Sequence, residues 1–356
     1  MNFAFTEEQR LIRETARSFL AEQVGSARLR AAMASVEGWD RGLWKAISME
    51  LGWPGITVPE AFGGLGLGWV ELAILMEESG RVLLPAPFFA GIGLALPAIL
   101  SSGDAVQQAA LLPGIASGET IATLCLTDNE ARFEAGKLSG TASPVLYGDS
   151  ADLLVVALPD GRMTALPAET PGLSIERLVH LDPTRPACRI RFDDVAIGPD
   201  QMLGAGLEET LALGAIMLAA EQTGAAERCL DMIVDYAKTR VQFGRVIGSF
   251  QAVKHRLADL MVLVESAKSA VYYAACTADE DPAGLLEAAS IARTYASETF
   301  LACAGEAIQL HGGIGFTWDY DAQLYFKRAR ADATLLGDPA QHRERIARLI
   351  GLDQEE

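Results

Sequence analysis

The chain has 356 residues, half of them hydrophobic, and a formal net charge of −18 at pH 7. That length allows two or three domains with buried cores, while the acidic balance excludes nucleic acid or an anionic membrane surface as the main partner. No apolar run reaches the roughly 18 residues of a bilayer-spanning helix, so no membrane partner is expected.

The first residues, Met1-Asn2-Phe3-Ala4-Phe5-Thr6-Glu7-Glu8, lack the basic and apolar regions of an export signal. Residues 1–118 read as a helical domain. Thr6 is placed to cap a first helix, with Glu7 and Glu8 in its opening turn, and Leu11, Ile12, Ala16, Phe19 and Leu20 recur at helical spacing. Trp44, Ile47 and Leu51 mark a later helix, which Trp53-Pro54-Gly55 ends. The glycine-rich stretch from Pro59 to Gly66 lacks the Lys and Ser/Thr of a P-loop and reads as a connector. Trp69 to Gly80 is helical again. After Leu84-Pro85-Ala86-Pro87 an apolar buried helix is expected over 88–101.

The pattern then changes. Strands are expected over 121–126, 153–158, 163–166 and 187–192, with Gly136, Gly140, Gly148, Gly161 and Gly172 as turns, giving a small β domain over 119–200. Residues 201–356 return to helix, near 206–239, 248–278, 283–312, 319–333 and 339–351. Helices of this length exceed the usual globular range and suit a bundle that also packs against another subunit. The fold class is therefore α+β, mainly α: an N-terminal helical domain, a middle β domain and a C-terminal four-helix bundle.

Cys125, Cys188, Cys229, Cys276 and Cys303 have no metal spacing and read as reduced, buried small side chains of a cytoplasmic protein. His180, His255, His311 and His342 form no i,i+4 pair, so no metal site is expected, and no Gly-x-Ser-x-Gly supports esterase chemistry. Two motifs carry more. The first is Arg240-Val241-Gln242-Phe243-Gly244-Arg245, followed by Phe250-Gln251 and Ala258-Asp259. The second is Gln309-Leu310-His311-Gly312-Gly313-Ile314-Gly315-Phe316. An arginine fork suits a pyrophosphate, Phe243 offers an apolar face to an adenine, and glycines at a helix end let backbone N–H groups approach a phosphate. The alternative for either motif alone is a capped turn between core helices.

In combination and order, these motifs resemble the flavin-dinucleotide site of acyl-CoA dehydrogenases. The layout of three domains, the segment Pro59-Glu60-Ala61-Phe62-Gly63-Gly64, and Asp182-Pro183-Thr184-Arg185-Pro186 leading to Arg191-Phe192-Asp193-Asp194-Val195 extend that resemblance over nearly the whole chain. It implies FAD as cofactor, held by Arg240, Gln242, Phe243, Gln251, Gln309, Gly312 and Gly313 across a subunit interface. It also implies an acyl-CoA substrate, α,β-dehydrogenation of its thioester, and electron-transfer flavoprotein as acceptor.

The family's catalytic carboxylate is not where the resemblance puts it. The more common position falls on Leu336, before Gly337-Asp338, and the rarer one on Gly214, beside Ala215. The flavin-contacting segments are altered too: Leu126-Thr127-Asp128-Asn129 stands alone, and Pro144-Val145-Leu146-Tyr147 occupies the place of a tryptophan-bearing strand. Three readings follow. The chain is the base-lacking subunit of a heteromeric acyl-CoA dehydrogenase whose partner carries the Glu. Alternatively it is a self-sufficient homo-oligomeric enzyme whose base is displaced to Asp338 or Glu221, although the ordinary readings of these residues, a helix cap and an arginine-paired structural carboxylate, come first. A third reading is a non-enzymatic scaffold on the same fold.

Overall fold

A reciprocal capping box opens the first helix: Thr6 accepts from the Gln9 backbone N–H at 3.2 Å, and the Gln9 side-chain oxygen accepts from the Thr6 N–H at 3.0 Å. The structure, a computed structural model, describes residues 5–352; residues 1–4, the start of the N-terminal stretch without export-signal character, lie outside them. Helices α1 (Glu7–Gln23), α2 (Ser26–Ala34), α3 (Arg41–Met49) and α4 (Trp69–Arg81) are followed by a π-helical segment Phe89–Ala95, then α5 (Leu96–Ser102) and α6 (Ala105–Ala116). The strands come next: β1 (Ala122–Leu126), β2 (Arg132–Glu134), β3 (Lys137–Leu146), β4 (Leu153–Ala157), β5 (Arg162–Pro167), β6 (Leu173–Arg177), β7 (Ala187–Ala196) and β8 (Met202–Ala205). The remainder is α7 (Leu207–Thr239), a hairpin of β9 (Val241–Gln242) and β10 (Arg245–Val246), α8 (Gln251–Glu280), α9 (Leu285–His311), α10 (Ala322–Asp332) and α11 (Pro339–Leu349). The described residues are thus mainly helical, with two four-stranded sheets and one two-stranded hairpin, the expected class, and no helix among them is long and apolar enough to cross a membrane.

The chain divides into two compact units. One takes in Arg30–Gly68 and Pro85–Gly214; the other holds the described residues up to Leu29, Trp69–Leu84 and those from Ala215 onward. In the first unit the strands form two four-stranded sheets, ordered β1-β4-β5-β8 and β2-β3-β7-β6. β1 and β4 run parallel and the other pairs antiparallel. A buried Thr123 hydroxyl donates to the Leu146 carbonyl at 2.6 Å and ties one sheet to the other. In the second unit α4 and α7 meet at glycines: a Cβ on Gly80 would stand 1.8 Å from the Glu221 carbonyl, and one on Gly224 1.8 Å from that of Glu77. The backbones touch because neither residue has a side chain.

Four differences from the sequence expectation have local causes. The apolar helix expected over 88–101 is π-helical at its start, with the Leu96 N–H reaching back to the Gly91 carbonyl. Pro97 cannot donate to the preceding turn, and a widened turn accommodates the lost bond. Gly140 is not a turn residue but lies inside β3, at φ +146 and beside a register shift, where a Cβ would stand 2.6 Å from that of Ala131. β2, β6, β8 and most of β3 carry too few β-branched or aromatic residues to announce themselves; β8, at the start of the region expected to be helical, pairs with β5. The helix expected from residue 319 begins at Ala322, because residues 317–321 form a turn first, the Tyr320 N–H donating to the Thr317 carbonyl at 3.3 Å.

Candidate functional site

The first motif begins where α7 ends. The Arg240 N–H donates to the Tyr236 carbonyl at 2.8 Å, the last helical bond, and the Arg240 carbonyl accepts from Ile247 at 2.8 Å, closing the β9–β10 hairpin. Its two turn residues, Phe243 at φ +53 and Gly244 at φ +78, are both left-handed, as a tight two-residue hairpin requires. The fold therefore holds Phe243 out at 91% exposure. Its ring meets Phe250 edge-on at 6.2 Å, and Phe250 in turn carries the Arg245 guanidinium at 4.0 Å. Arg240, Gln242 and Gln251, the first residue of α8, are exposed. No ion pair of Arg240 is found among the described residues.

The second motif is the end of α9. Gln309 is exposed in the last turn, and Gly312 stops the helix at φ +64. A Cβ built on Gly312 or Gly313 meets nothing within 4 Å, whereas one on Gly315 would stand 2.9 Å from the His311 Cβ. Two of the three glycines thus present open backbone and the third packs inward. His311 is buried, 3% exposed; its Nδ1–H donates to the Ala307 carbonyl at 2.7 Å, and its ring stacks on Tyr236 at 4.4 Å and 30°. Tyr320 lies 4.8 Å from His311, tilted by 54°, and 6.5 Å from Tyr236. Burial pushes the imidazole below its ordinary value, so the ring is neutral at pH 7.

The segment expected to hold a base is built differently. Leu336 sits half-buried at φ +58, and its carbonyl accepts from His342 Nε2 at 3.1 Å. The Arg293 guanidinium, wholly buried, donates to the Asp332 and Leu335 carbonyls and to Gln222 Oε1 at 3.0 Å. Desolvation pushes Arg293 down to about 10, still charged at neutral pH. Burial, then the Arg293 charge, push His342 down to about 4. Two buried side chains thus take three backbone carbonyls of the turn at 332–336. Asp338 caps α11 in a capping box with Gln341, accepting its N–H at 2.8 Å, with Pro339 in the first turn. Glu221 is 4% exposed and accepts from Arg328 Nη1 at 3.2 Å. Gly214 is buried inside α7.

In the first unit, the Thr127 hydroxyl donates to the Ala157 carbonyl at 2.8 Å and the Asp128 N–H to the Thr141 carbonyl at 2.8 Å. Pro144, Val145 and Leu146 end β3, and Tyr147 follows, buried, at φ +53. Sequence reasoning did not single out Arg293, His342, Gln222 or Tyr236. For Tyr236 the signal was available, one helical turn before Arg240; a buried arginine inside a helix pattern gives none.

The family profile for the acyl-CoA dehydrogenase N-terminal domain matches residues 6–119, and that for the acyl-CoA dehydrogenase C-terminal domain matches 205–351. The chain is 41% identical over 341 residues to the acyl-CoA dehydrogenase IpdE2 of Mycobacterium tuberculosis, covering 96% of each chain. It is 39% identical over 351 residues to IpdE2 of Mycolicibacterium smegmatis, covering 97% of this chain and 98% of that one. Among solved structures, it resembles a chain of the ChsE4-ChsE5 complex of Mycobacterium tuberculosis with a TM-score of 0.92, 25% identity and full coverage of both chains. It also resembles a variant of the Tcur3481-Tcur3483 steroid ACAD, with a TM-score of 0.89, 33% identity and coverage of 97% and 98%.

Proposed function

The chain belongs to the acyl-CoA dehydrogenase family, and from that premise we propose that it is the base-lacking, cofactor-sharing subunit of a heteromeric acyl-CoA dehydrogenase. Members of this family bind FAD and oxidise CoA thioesters. One observation carries the narrower reading: the carboxylates near the family's base positions are engaged inside the chain, while the dinucleotide-type residues face outward. Asp338 is spent on a helix cap and Glu221 on a buried arginine, whereas Arg240, Gln242, Phe243, Gln251 and Gln309 are exposed.

The residues present fit the ADP portion of FAD. Arg240 supplies a permanent positive charge and a donor fork for a pyrophosphate. The open faces of Gly312 and Gly313 admit a phosphate to their backbone N–H groups, which any Cβ there would crowd. Gln309 adds an amide donor, with Gln242 and Gln251 beside the same hairpin, and the exposed Phe243 ring gives an adenine a face to lie on. A chain whose dinucleotide contacts all point to solvent is suited to completing a site on a neighbouring subunit. When bound, FAD accepts the hydride from the substrate's β carbon; the proton at the α carbon must go to a carboxylate, which this reading assigns to a partner subunit bearing a Glu.

The relatives support the same assembly and a substrate class. One structural neighbour is a complex of two differently named chains and another is a steroid ACAD. We assign the complex a bulky, steroid-derived CoA ester and, by family resemblance, an electron-transfer flavoprotein as acceptor. The three-domain division at 1–118, 119–200 and 201–356 belongs to the same proposal.

The test is expression alone and with a Glu-bearing sister chain. Alone, the protein should dehydrogenate no CoA ester; together, the pair should be yellow and active, since general-base catalysis alone contributes about 10²–10⁴-fold. Asp338→Asn should leave the pair's turnover largely intact. Robust turnover by the isolated chain, lost in Asp338→Asn with FAD still bound, would establish the displaced-base enzyme instead.

A further inference from the structure

The two halves of the dinucleotide site lie on different helices, and something must fix one against the other. The hairpin that carries Gln242 and Phe243 has two residues per strand and is exposed throughout; isolated hairpins of this kind are marginal in water. Its attachment is therefore the end of α7. The glycine turn likewise hangs on the end of α9. A grip on a pyrophosphate by groups from both needs them held to about half an ångström.

We propose that Tyr236 and His311 are positioning residues, a ring clasp that locks the end of α7 to the end of α9 and so sets Arg240 against Gln309, Gly312 and Gly313. The inference rests on the dinucleotide reading of the two motifs. Tyr236 accepts the Arg240 N–H, and His311 is bonded directly to Gly312, so each ring belongs to the last turn of its own half-site. The rings stack at 4.4 Å, and Tyr320 closes over both, at 4.8 Å from His311 and 6.5 Å from Tyr236. The Ala307 carbonyl fixes the imidazole's orientation by taking its Nδ1 proton, leaving Nε2 as a bare acceptor. That Nε2 is buried without a hydrogen-bond partner. Such an atom costs free energy in a position chosen for packing alone, and a phenylalanine would stack there without the cost. The Nδ1 bond is what the histidine adds: it stops the ring turning about its χ angles and holds the backbone just before Gly312.

The experiment measures FAD affinity by flavin fluorescence on the protein as assembled, with its partner subunit where the two co-purify, and melting temperature alongside. The variants are Tyr236→Leu, His311→Leu, their double variant, Tyr236→Phe and Arg240→Ala. Tyr236→Leu and His311→Leu should each weaken FAD by about 10-fold, the scale seen when groups that orient a ligating side chain are removed. Tyr236→Phe, which keeps the stack, should stay within about 3-fold of the parent. The double variant should lose no more than either single one, because the rings act through each other; a purely structural loss would add. If Arg240→Ala loses FAD while Tyr236→Leu and His311→Leu bind it as the parent does, or if the two losses simply add, the clasp is refuted and the dinucleotide site stands. If Arg240→Ala itself binds FAD like the parent, the dinucleotide reading falls and the clasp with it.

Discussion

Arg328 and Glu221 are 1% and 4% exposed and face each other at 3.2 Å. Removing one member of such a buried pair costs about 3–5 kcal/mol. Arg328→Met should lower the unfolding free energy measured by urea titration by that amount, and Glu221→Gln, which keeps an acceptor, should cost less. A catalytic Glu221 would give the opposite pattern, with stability retained and turnover lost in Glu221→Gln. His342 makes a second residue-scale prediction. Its pKa is pushed from 6.5 to about 4 by burial and the nearby Arg293 charge. Between those two values the unfolded chain binds a proton that the folded chain does not, so stability falls as pH drops from 6.5 towards 4. Urea titrations at pH 7 and pH 5 should show a loss in the parent that is smaller in His342→Gln. Equal losses in both would assign the pH dependence to other groups.

At the scale of elements, the crossing of α4 and α7 is set by two glycines with reciprocal contacts. A methyl group at Gly80 or Gly224 would overlap a backbone carbonyl at 1.8 Å, and a backbone cannot swing aside as a side chain can. Overpacking costs about 1–3 kcal/mol, more than the roughly 1 kcal/mol that alanine gains over glycine in a helix. Gly224→Ala should therefore destabilise by about 2 kcal/mol or more in urea unfolding, despite the better helix former. Parent-like stability would mean the helices separate freely. Element starts were the most legible part of the sequence: Thr6 and Asp338 both cap as their chemistry suggests. Gly140 was misplaced because a glycine that relieves a clash inside a bulged strand looks, in one dimension, like a glycine that makes a turn.

For the whole molecule, the long C-terminal helices leave apolar groups in water. Met261, Val262 and Leu263 on α8 are 58%, 65% and 39% exposed, and Tyr295 on α9 is 50% exposed. Phe243, Phe316 and Trp318, around the candidate site, are more than 60% exposed. Large exposed apolar side chains in this number suit association with another subunit. With a net charge of −18 opposing self-association, the contact must bury enough of them to outweigh repulsion. Sedimentation at micromolar concentration should show a dimer or larger species, alone or with the sister chain. A monomer under both conditions would remove the shared-site picture.

The sequence alone determined the long C-terminal helices, the caps at Thr6 and Asp338 and the two glycine-bearing motifs. These signals act within one turn or one short loop, where propensity, capping and backbone freedom decide the outcome. Tertiary structure alone decided which buried polar groups pair. Arg293 reaches Gln222 and the Asp332 carbonyl, Glu221 finds Arg328, and Tyr236 stacks on His311. Each of these contacts joins residues from 39 to 107 positions apart, and no local pattern encodes them. A buried donor takes whichever acceptor the packing brings within reach, because leaving it unpaired costs more than any local preference supplies.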